Sequence, residues 1–536
     1  MKIGRKASFL CCTLMVLFLA DSASRAQMPI AEMREKINRG VDYLVSLQKE
    51  NGSWPYQRTT ERYDVGMSAL ATLALVHTRL PKANDPAHKG LSFVTQQSPE
   101  PKTYTSGLME MLLFESGAAQ YNKLINKYAW MLVMGQKREG PTEGAWFYFL
   151  PEWVENQKPD FVPPQAGNSA DHSNTQFGVL GIWYAQRAGF QVPLKCWQRV
   201  KRHYELTQQA DGGWAYQAEP GGASSTSMTP ASTVSLFLAD EALTSKKHNQ
   251  CKMTPENPAV EKGMKAVGEK PLGGTAYAWY AYERLGIMTG RSEFSGQNWM
   301  ELGARELVKE GWGVGGGDDE SNSAFVVLFL ARALEPVIIN KLKHKGDWND
   351  DPYDIKHLIE YTSEKFQYPK QWRVVTLDAS VDELLKVPIL YLSGHEALEF
   401  TDAEKAKLKE YVNRGGTLFG MACCAKKEFD RSFRALVAEL WPEDKLSPLP
   451  KEHTIYTSPR PLAAKPALEA LALAGGQGRL GVIYSPTDLC CRWHMGGPDA
   501  KAVLDVGANI YFYVSTTGVK RGGVREAQPL DTAKEK

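Results

Sequence analysis

Two pairs of adjacent cysteines, Cys423-Cys424 and Cys490-Cys491, are the residues whose chemistry is easiest to name. A thiol can form a disulfide, ligate a metal ion or, as a thiolate beside a base, attack a carbonyl group. Adjacent Cα atoms lie about 3.8 Å apart, which is below the usual disulfide range. A bridge from either pair should therefore go elsewhere in the chain, and the other pair is the obvious candidate.

Three interpretations of these cysteines stay open. They form a structural disulfide between the pairs, they are buried inert thiols, or they supply a nucleophile or a metal site together with His395 and Asp488. We predict no resident cofactor. The candidate catalytic residues are Cys423, Cys424, His395 and Asp378.

The segment after residue 341 alternates between strands and helices. Apolar strands of five to seven residues between amphipathic helices predict a parallel sheet covered on both faces. The carboxyl ends of parallel strands share one edge, where ligands usually bind. Four loops should therefore meet in one crevice. The predicted strands are 372–377, 387–392, 416–422 and 479–485, and the loops carry Asp378, then His395 and Glu396, then Cys423 and Cys424, then Asp488, Cys490 and Cys491.

The first two thirds of the chain predict six consecutive helix pairs from apolar spacing and Gly/Pro breaks. First members are amphipathic, whereas second members are apolar nearly all round and need cover on both sides. An inner ring wrapped by an outer ring gives that arrangement. Closed in a circle, the pairs form an (α/α)6 toroid, although an open solenoid uses the same units. The pairs are 30–49 with 64–79, 84–97 with 103–118, 120–136 with 172–188, 194–209 with 229–244, 257–269 with 274–288, and 298–309 with 321–335.

A polar constellation opens the helix at 172–188. One interpretation is helix capping by Asp171 or Ser173. The other puts polar side chains at the mouth of a central cavity, where a sugar or a peptide could bind, with His172 or the Asp318/Asp319 pair as acid or base. Aromatic residues at 277–282 are either core or binding surface. The cavity-binding candidates are Asp171, His172, Asn174, Gln176, Asp318 and Asp319.

The formal net charge of +2, without a basic tract, argues against a dedicated nucleic-acid binder. Residues 1–26 are typical of a secretory signal, with a basic start, an apolar run over 7–20 and small residues before a cut after Ala26. We therefore expect a periplasmic or secreted protein without a transmembrane segment in the mature chain. Its partner would be an unknown small molecule, a glycan or an envelope protein.

Two sequence resemblances add to this interpretation. The connector 48–54 ends in Gly-Ser-Trp and recurs at 208–214 as Gly-Gly-Trp, each after a Gln. These connectors resemble those of the squalene-cyclase and prenyltransferase repeat family, which implies an α/α toroid over about 30–335. That family's cyclases use an Asp-x-Asp-Asp acid motif, and the nearest candidates here are Asp318-Asp319-Glu320 and Asp64.

The last third resembles the class I glutamine-amidotransferase-like fold, and more closely domain-of-unknown-function family 4159. The matching motifs include Tyr-Pro-x-x-Trp at 368–372, Gly-Gly-Thr-Leu at 415–418 and Phe-Asp-Arg-Ser-Phe at 429–433. An amidotransferase carries its nucleophilic cysteine on a strand-to-helix elbow, and Cys423 or Cys424 occupies that position. The resemblance implies a flavodoxin-like three-layer α/β domain.

We therefore predict a multidomain chain, mainly α plus α/β. Its parts are a signal peptide (1–26), the toroid (27–340), the α/β domain (341–518) and a disordered tail (519–536). The leading functional hypothesis is binding or scaffolding at the cell envelope. The alternative is an enzyme: a glycan or peptide hydrolase or lyase in the toroid, terpenoid-cyclase-like chemistry, or cysteine or metal chemistry in the α/β domain.

Overall fold

The computed structural model describes residues 30–58, 61–155, 169–244, 257–309, 319–473 and 479–517. The predicted signal peptide, the predicted tail and Asp318 lie outside the described residues, and so does the side chain of Asp319. Within the described ranges, no helix is both long enough and apolar enough to cross a membrane.

The first unit consists of consecutive helix pairs whose bounds agree with the predicted ones to within a few residues. The helices are α1 (Ile30–Leu47), α2 (Asp64–Thr78), α3 (Pro81–Gln96), α4 (Thr103–Glu115), α5 (Ala118–Gly135), α6 (His172–Arg187), α7 (Leu194–Thr207), α8 (Met228–Thr244), α9 (Pro258–Gly268), α10 (Ala276–Thr289), α11 (Trp299–Lys309) and α12 (Asp319–Ala333). Two-residue ladders pair 57–58 with 61–62 and 293–294 with 297–298.

The even-numbered helices form a ring. Each packs on the next, from α2 through α4, α6, α8 and α10 to α12, and α12 returns to pack on α2. The odd-numbered helices pack outside, for example α3 on α2 and α5 on α4. This explains the composition of the inner helices: α2 buries almost every residue between Val65 and Leu75, because it has neighbours on all sides.

The repeated connectors share one local geometry. In each, a Gln side chain donates to the carbonyl of a glycine with positive φ, and a buried Trp donates its indole N–H to a carbonyl of the preceding helix. For Gln48, Gly52 and Trp54 these contacts are 3.0 Å to Gly52 and 2.7 Å to Leu44. The equivalent residues are Gln136, Gly144 and Trp146, then Gln208, Gly212 and Trp214.

The second unit contains a seven-stranded sheet with helices on its faces. Its strands are β1 (Val337–Leu342), β2 (Gln371–Val375), β3 (Ile389–Gly394), β4 (Thr417–Ala422), β5 (Ser447–Pro448), β6 (Glu469–Ala472) and β7 (Leu480–Ser485). Its helices are α13 (Asp354–Lys365), α14 (Val381–Leu384), α15 (Asp402–Asn413), α16 (Lys427–Leu440), α17 (Thr454–Thr457), α18 (Cys490–Met495) and α19 (Lys501–Thr517).

The strand order is β2-β1-β3-β4-β7-β6-β5. The first five strands in this order are parallel, and β6 and β5 add an antiparallel edge. The parallel part has the doubly wound 2-1-3-4-5 order, in which the order of strand addition reverses between β1 and β3. In sheets of this kind, ligands usually bind at that switch point, outside the carboxyl ends of the strands.

Strand β1 corrects the predicted domain boundary, because a cut between residues 340 and 341 falls inside it. The run Val337-Ile338-Ile339 directly follows Pro336, which cannot continue α12. Since β1 pairs with both β2 and β3, it is a central strand of the second unit.

The two units contact each other through buried polar groups. The Lys356 ammonium of α13 lies 2.8 Å from the Glu241 carboxylate of α8. The Val374 amide donates to the Gly290 carbonyl at 2.7 Å, so backbone of β2 meets backbone of the first unit. These contacts hold the start of the sheet against the ring.

Candidate functional site

The segment between β1 and α13, residues 343–353, is termed the acid loop here because it carries Asp347, Asp350 and Asp351. It lies at the switch point of the sheet, beside the loop after β3. The Lys341 ammonium donates to the Asp351 carbonyl at 3.0 Å and pairs with Asp354 at 2.7 Å. This buried pair fixes the C-terminal half of the acid loop to β1 and α13.

His395 follows β3 and is held from one side by the acid loop. Its Nδ1–H donates to Asp347 Oδ2 at 2.9 Å and to Asp350 Oδ2 at 2.8 Å. Its backbone N–H also donates to Asp347 Oδ2, at 2.5 Å. Gly394 permits this approach, because a Cβ there would lie 2.8 Å from Asp347 Oδ1. The imidazole therefore has a fixed orientation with Nε2 pointing away from the carboxylates.

Cys424 lies next to the second ring nitrogen of His395, with its Sγ 3.3 Å from His395 Nε2. The cysteine lies in the sharp turn between β4 and α16, and its φ of +50° is in the left-handed region. A non-glycine residue there costs energy and recurs at functional sites. A nucleophile on a strand-to-helix elbow has this conformation, which presents its side chain at the sheet edge.

The charges of the acid loop set the protonation of His395. Burial alone would lower the pKa of His395, but the hydrogen bonds with Asp347 and Asp350 raise it to about 10. Burial would likewise raise the pKa of Asp347, but the bonds from His395 hold it well below its usual range. His395 is therefore an imidazolium at neutral pH, and an imidazolium beside a thiol favours the thiolate.

A disulfide joins Cys423 and Cys490, whose Cα atoms lie 5.9 Å apart. It links the loops after β4 and β7, which are neighbouring strands. The predicted disulfide between the two cysteine pairs is thus present. Because Cys423 is one of its two members, Cys423 is no longer a candidate nucleophile. Cys490 Sγ also lies 3.3 Å from Asp488 Oδ1.

The second cysteines of the two pairs, Cys424 and Cys491, also lie close together. Cys424 Sγ and Cys491 Sγ lie 3.5 Å apart, and the Cys491 thiol points at Asp351 Oδ2 at 3.6 Å. Burial, with Asp351 and Asp488, raises the pKa of the Cys491 thiol. Burial together with Asp354 raises the pKa of Asp351 to about 7.

Three of the four predicted loops therefore converge, with one replacement. The loops after β3, β4 and β7 bring His395, Cys424 and Cys491 together. The prediction that Asp378 belongs to this cluster is wrong, because it follows β2, the edge strand beyond β1. The Asp378 carboxylate is exposed and accepts from Thr376 Oγ1 at 3.0 Å. The acid loop replaces the loop after β2 in this cluster. The sequence alone did not indicate Asp347 and Asp350, because the polar segment 347–352 resembles a linker when β1 is not recognised as a strand.

The polar residues at the start of α6 bond mainly to one another and to backbone, although Asn174 Oδ1 and Gln176 Nε2 are buried without a hydrogen-bond partner among the described residues. Asp171 caps α6 by accepting from the Asn174 backbone N–H at 2.7 Å, and it accepts from the Asn174 side chain at 2.8 Å. His172 is fully buried, with Nδ1 2.7 Å from the Ala215 carbonyl. Burial lowers the pKa of His172 to about 4. This ring is neutral and packed behind the helix start, so its position does not fit an acid or base at a cavity mouth.

Gln176 lies one turn further along α6. Its Oε1 accepts from the Tyr277 hydroxyl at 3.0 Å, and that hydroxyl lies 2.6 Å from Ser173 Oγ. Trp279, Tyr280 and Tyr282 are buried in the core of the ring, which favours the core interpretation of this aromatic segment.

Residues 338–514 match the family model described as a domain of unknown function, DUF4159. This confirms the family resemblance of the last third and supplies no activity. No curated protein matches the chain.

Three solved structures are similar at low identity. The type II terpene cyclase MstE from Scytonema has 12% identity and a TM-score of 0.36, and the match covers 57% of this chain and 98% of the cyclase. An inactive variant of the α-1,6-mannanase GH76A of Salegentibacter sp. HEL1_6, in complex with α-1,6-mannotriose, has 11% identity and a TM-score of 0.40, covering 56% and 99%. A protein from Actinoplanes has 14% identity and a TM-score of 0.31, covering 56% and 99%.

Proposed function

We propose that the α/β unit is a cysteine-dependent acyl-transfer enzyme, a hydrolase or transferase acting on a carboxamide or ester. The observation that carries this proposal is the continuous line of contacts from Cys424 Sγ to His395 Nε2 and from His395 Nδ1 to the carboxylates of Asp347 and Asp350. Nucleophile, base and orienting group are thus within reach of one another, as covalent catalysis requires.

Each residue has a role in this reaction. The Cys424 thiolate adds to the substrate carbonyl carbon, and the backbone N–H of Ala425, next along the elbow, is the natural donor to the resulting oxyanion. His395 then gives its Nε2 proton to the leaving nitrogen or oxygen as the bond to carbon breaks. A water or acceptor nucleophile attacks the thioester, gives its proton to His395 and releases Cys424.

The fold type, the role of the helical ring and the cellular location are part of the same proposal. The amidotransferase-like fold is supported by the strand order and by the cysteine elbow, although here the histidine follows β3 and its partners follow β1. The ring of helices would be a binding or scaffolding partner of the enzyme unit. The signal-like residues 1–26 support a periplasmic or secreted location, with a small molecule, glycan or envelope protein as the partner.

The proposal is tested by alkylation of the full-length chain with iodoacetamide at pH 6, in the presence of a chelator, followed by peptide mass spectrometry. We expect Cys424 to be modified much faster than a small thiol, because a thiolate–imidazolium pair stays reactive well below the usual cysteine pKa of about 8.5. Cys196→Ser, a change to a buried thiol of α7, is the matched control and leaves this rate unchanged. Modification of Cys424 no faster than a small thiol sinks the proposal.

A further inference from the structure

Cys424 also belongs to a second grouping of side chains, which does not include His395. Its Sγ lies 3.5 Å from Cys491 Sγ, and one ligand atom each from Cys424, Cys491 and Asp488 lies within 4.8 Å of the other two. Asp488 also accepts from the Cys491 backbone N–H at 3.1 Å. Two sulfurs and a carboxylate oxygen therefore face one another. The acyl-transfer mechanism uses only Cys424 among these three residues.

The covalent framework holds this grouping in place. The Cys423–Cys490 disulfide lies one residue before each sulfur of the pair, and β4 and β7, which lead into it, are hydrogen-bonded in parallel. The positions of both thiols are thus set by the fold itself. A preformed donor set of this kind is what a metal site needs, because ordering of ligands then costs little on binding.

The surroundings of the pair are rich in negative charge. Asp351 and Asp488 lie beside Cys491, and Asp347 and Asp350 lie one layer away around His395. Both cations nearby are already paired: the His395 imidazolium, whose Nε2 lies 3.3 Å from Cys424 Sγ, with Asp347 and Asp350, and the Lys341 ammonium with Asp354. A divalent cation among the sulfurs would balance both thiolates.

We propose that Cys424, Cys491 and Asp488 form a binding site for a thiophilic divalent cation, for which Zn²⁺ is the best fit. Soft thiolates select zinc over magnesium or calcium, and a tetrahedral zinc ion with Zn–S bonds of about 2.3 Å places two sulfurs about 3.8 Å apart. The observed 3.5 Å separation requires only a small adjustment.

Asp351 Oδ2, 3.6 Å from Cys491 Sγ, is placed to serve as a further ligand. Binding releases the thiol protons to solvent. This site goes beyond the acyl-transfer reaction and excludes it while occupied, since the metal and the substrate carbonyl compete for the Cys424 sulfur.

The test is a Co²⁺ titration of the metal-free, full-length protein with the Cys423–Cys490 disulfide intact and Cys424 and Cys491 kept as thiols, followed by near-ultraviolet absorption. We expect a thiolate-to-cobalt charge-transfer band that saturates at one ion per chain and is displaced by Zn²⁺. Cys424→Ser and Cys491→Ser each weaken the affinity by about 100-fold or more, because each removes a ligand. Cys196→Ser is the matched thiol control and binds as the wild type does.

Asp488→Asn keeps every sulfur in place, so it reports on the site even where a cysteine variant does not fold. We expect it to weaken binding by about 10-fold or more. Absence of the band, or a band unchanged in Cys491→Ser, overturns the proposal. Because nucleophile reactivity is measured separately on metal-free protein, failure of the metal site and failure of the acyl-transfer proposal give different results.

Discussion

The two units each bury a histidine near an aspartate, and the two histidines have opposite charge states. His172 meets a backbone carbonyl and a second histidine, His203, at 3.2 Å, and its pKa falls to about 4. His395 meets two carboxylates, and its pKa rises to about 10. Burial opposes charge in both places, so the presence of a counter-charge decides the outcome.

This difference has a topological cause. Asp171 and His172 are adjacent on one helix start, so the aspartate caps the helix and the ring points elsewhere. His395 and its carboxylates come from loops after different strands, which a parallel sheet brings to one edge. Chemistry on this chain is therefore expected where separate loops meet, even though the polar run at the start of α6 is denser in sequence.

The largest expected effect is on the reactivity of Cys424. His395→Asn removes the cation beside the thiol, so alkylation of Cys424 at pH 6 should slow by between about 10² and 10⁴-fold. His172→Asn should leave that rate within a factor of two or three, since its ring lies in the other unit. The measurement is the rate of iodoacetamide modification by mass spectrometry.

Equal rates in the wild type and in His395→Asn would remove the distinction between the two histidines. Asp347→Asn provides an intermediate case. With Asp350 still in place, His395 keeps one carboxylate partner, and we expect a smaller loss that is greatest above pH 7.

The next effect concerns the disulfide at the α/β site. Among the described residues, the helical unit has no disulfide. The Cys423–Cys490 disulfide closes a loop with a sequence separation of 67, for which chain entropy predicts about 4 kcal/mol of stabilisation. The double variant Cys423→Ala/Cys490→Ala should lower the free energy of unfolding by up to that amount. Cys196→Ala, a change to the buried thiol of α7, should cost about 1 kcal/mol. Urea unfolding followed by tryptophan fluorescence measures both, and equal losses would contradict the role given to the bridge.

A third effect is the pH dependence of stability, which should have opposite signs in the two units. His395 has a raised folded-state pKa, so its contribution is complete below about 6.5 and is lost as the pH rises towards about 10. His172 has a lowered pKa, so its contribution is present above about 6.5 and is lost as the pH falls towards about 4.

Thermal unfolding at pH 5, 7 and 9 tests this. Relative to His395→Gln, the wild type should lose on the order of 1–3 kcal/mol between pH 7 and pH 9. Relative to His172→Gln, it should lose stability between pH 7 and pH 5. If the stability difference from the wild type changed in the same direction with pH for both variants, the imidazoles of His172 and His395 would not differ in charge.

The sequence predicts the helices of the ring well because their signal is local. The all-round apolar pattern of α2 and the Gln-to-Trp connectors need only neighbouring residues to be recognised. His395 and Cys424 could also be placed, since each directly follows a clear apolar strand. The acid loop could not, because its meaning depends on β1, a strand whose apolar run merges with the end of α12 and whose partners β2 and β3 lie further along the chain.

The smallest expected effect separates the two interpretations of Asp171. As a cap, it supplies an oxygen to the Asn174 N–H, and burial raises its pKa, so its negative charge brings no advantage there. Asp171→Ala should therefore cost about 1 kcal/mol of unfolding free energy, whereas Asp171→Asn, which keeps an oxygen acceptor, should cost only a few tenths. Chemical denaturation of both variants measures the difference. If Asp171→Asn kept the stability of the wild type but lost binding of a ligand or turnover of a substrate, the charge itself would be functional. The ring would then hold a working site alongside the sheet edge.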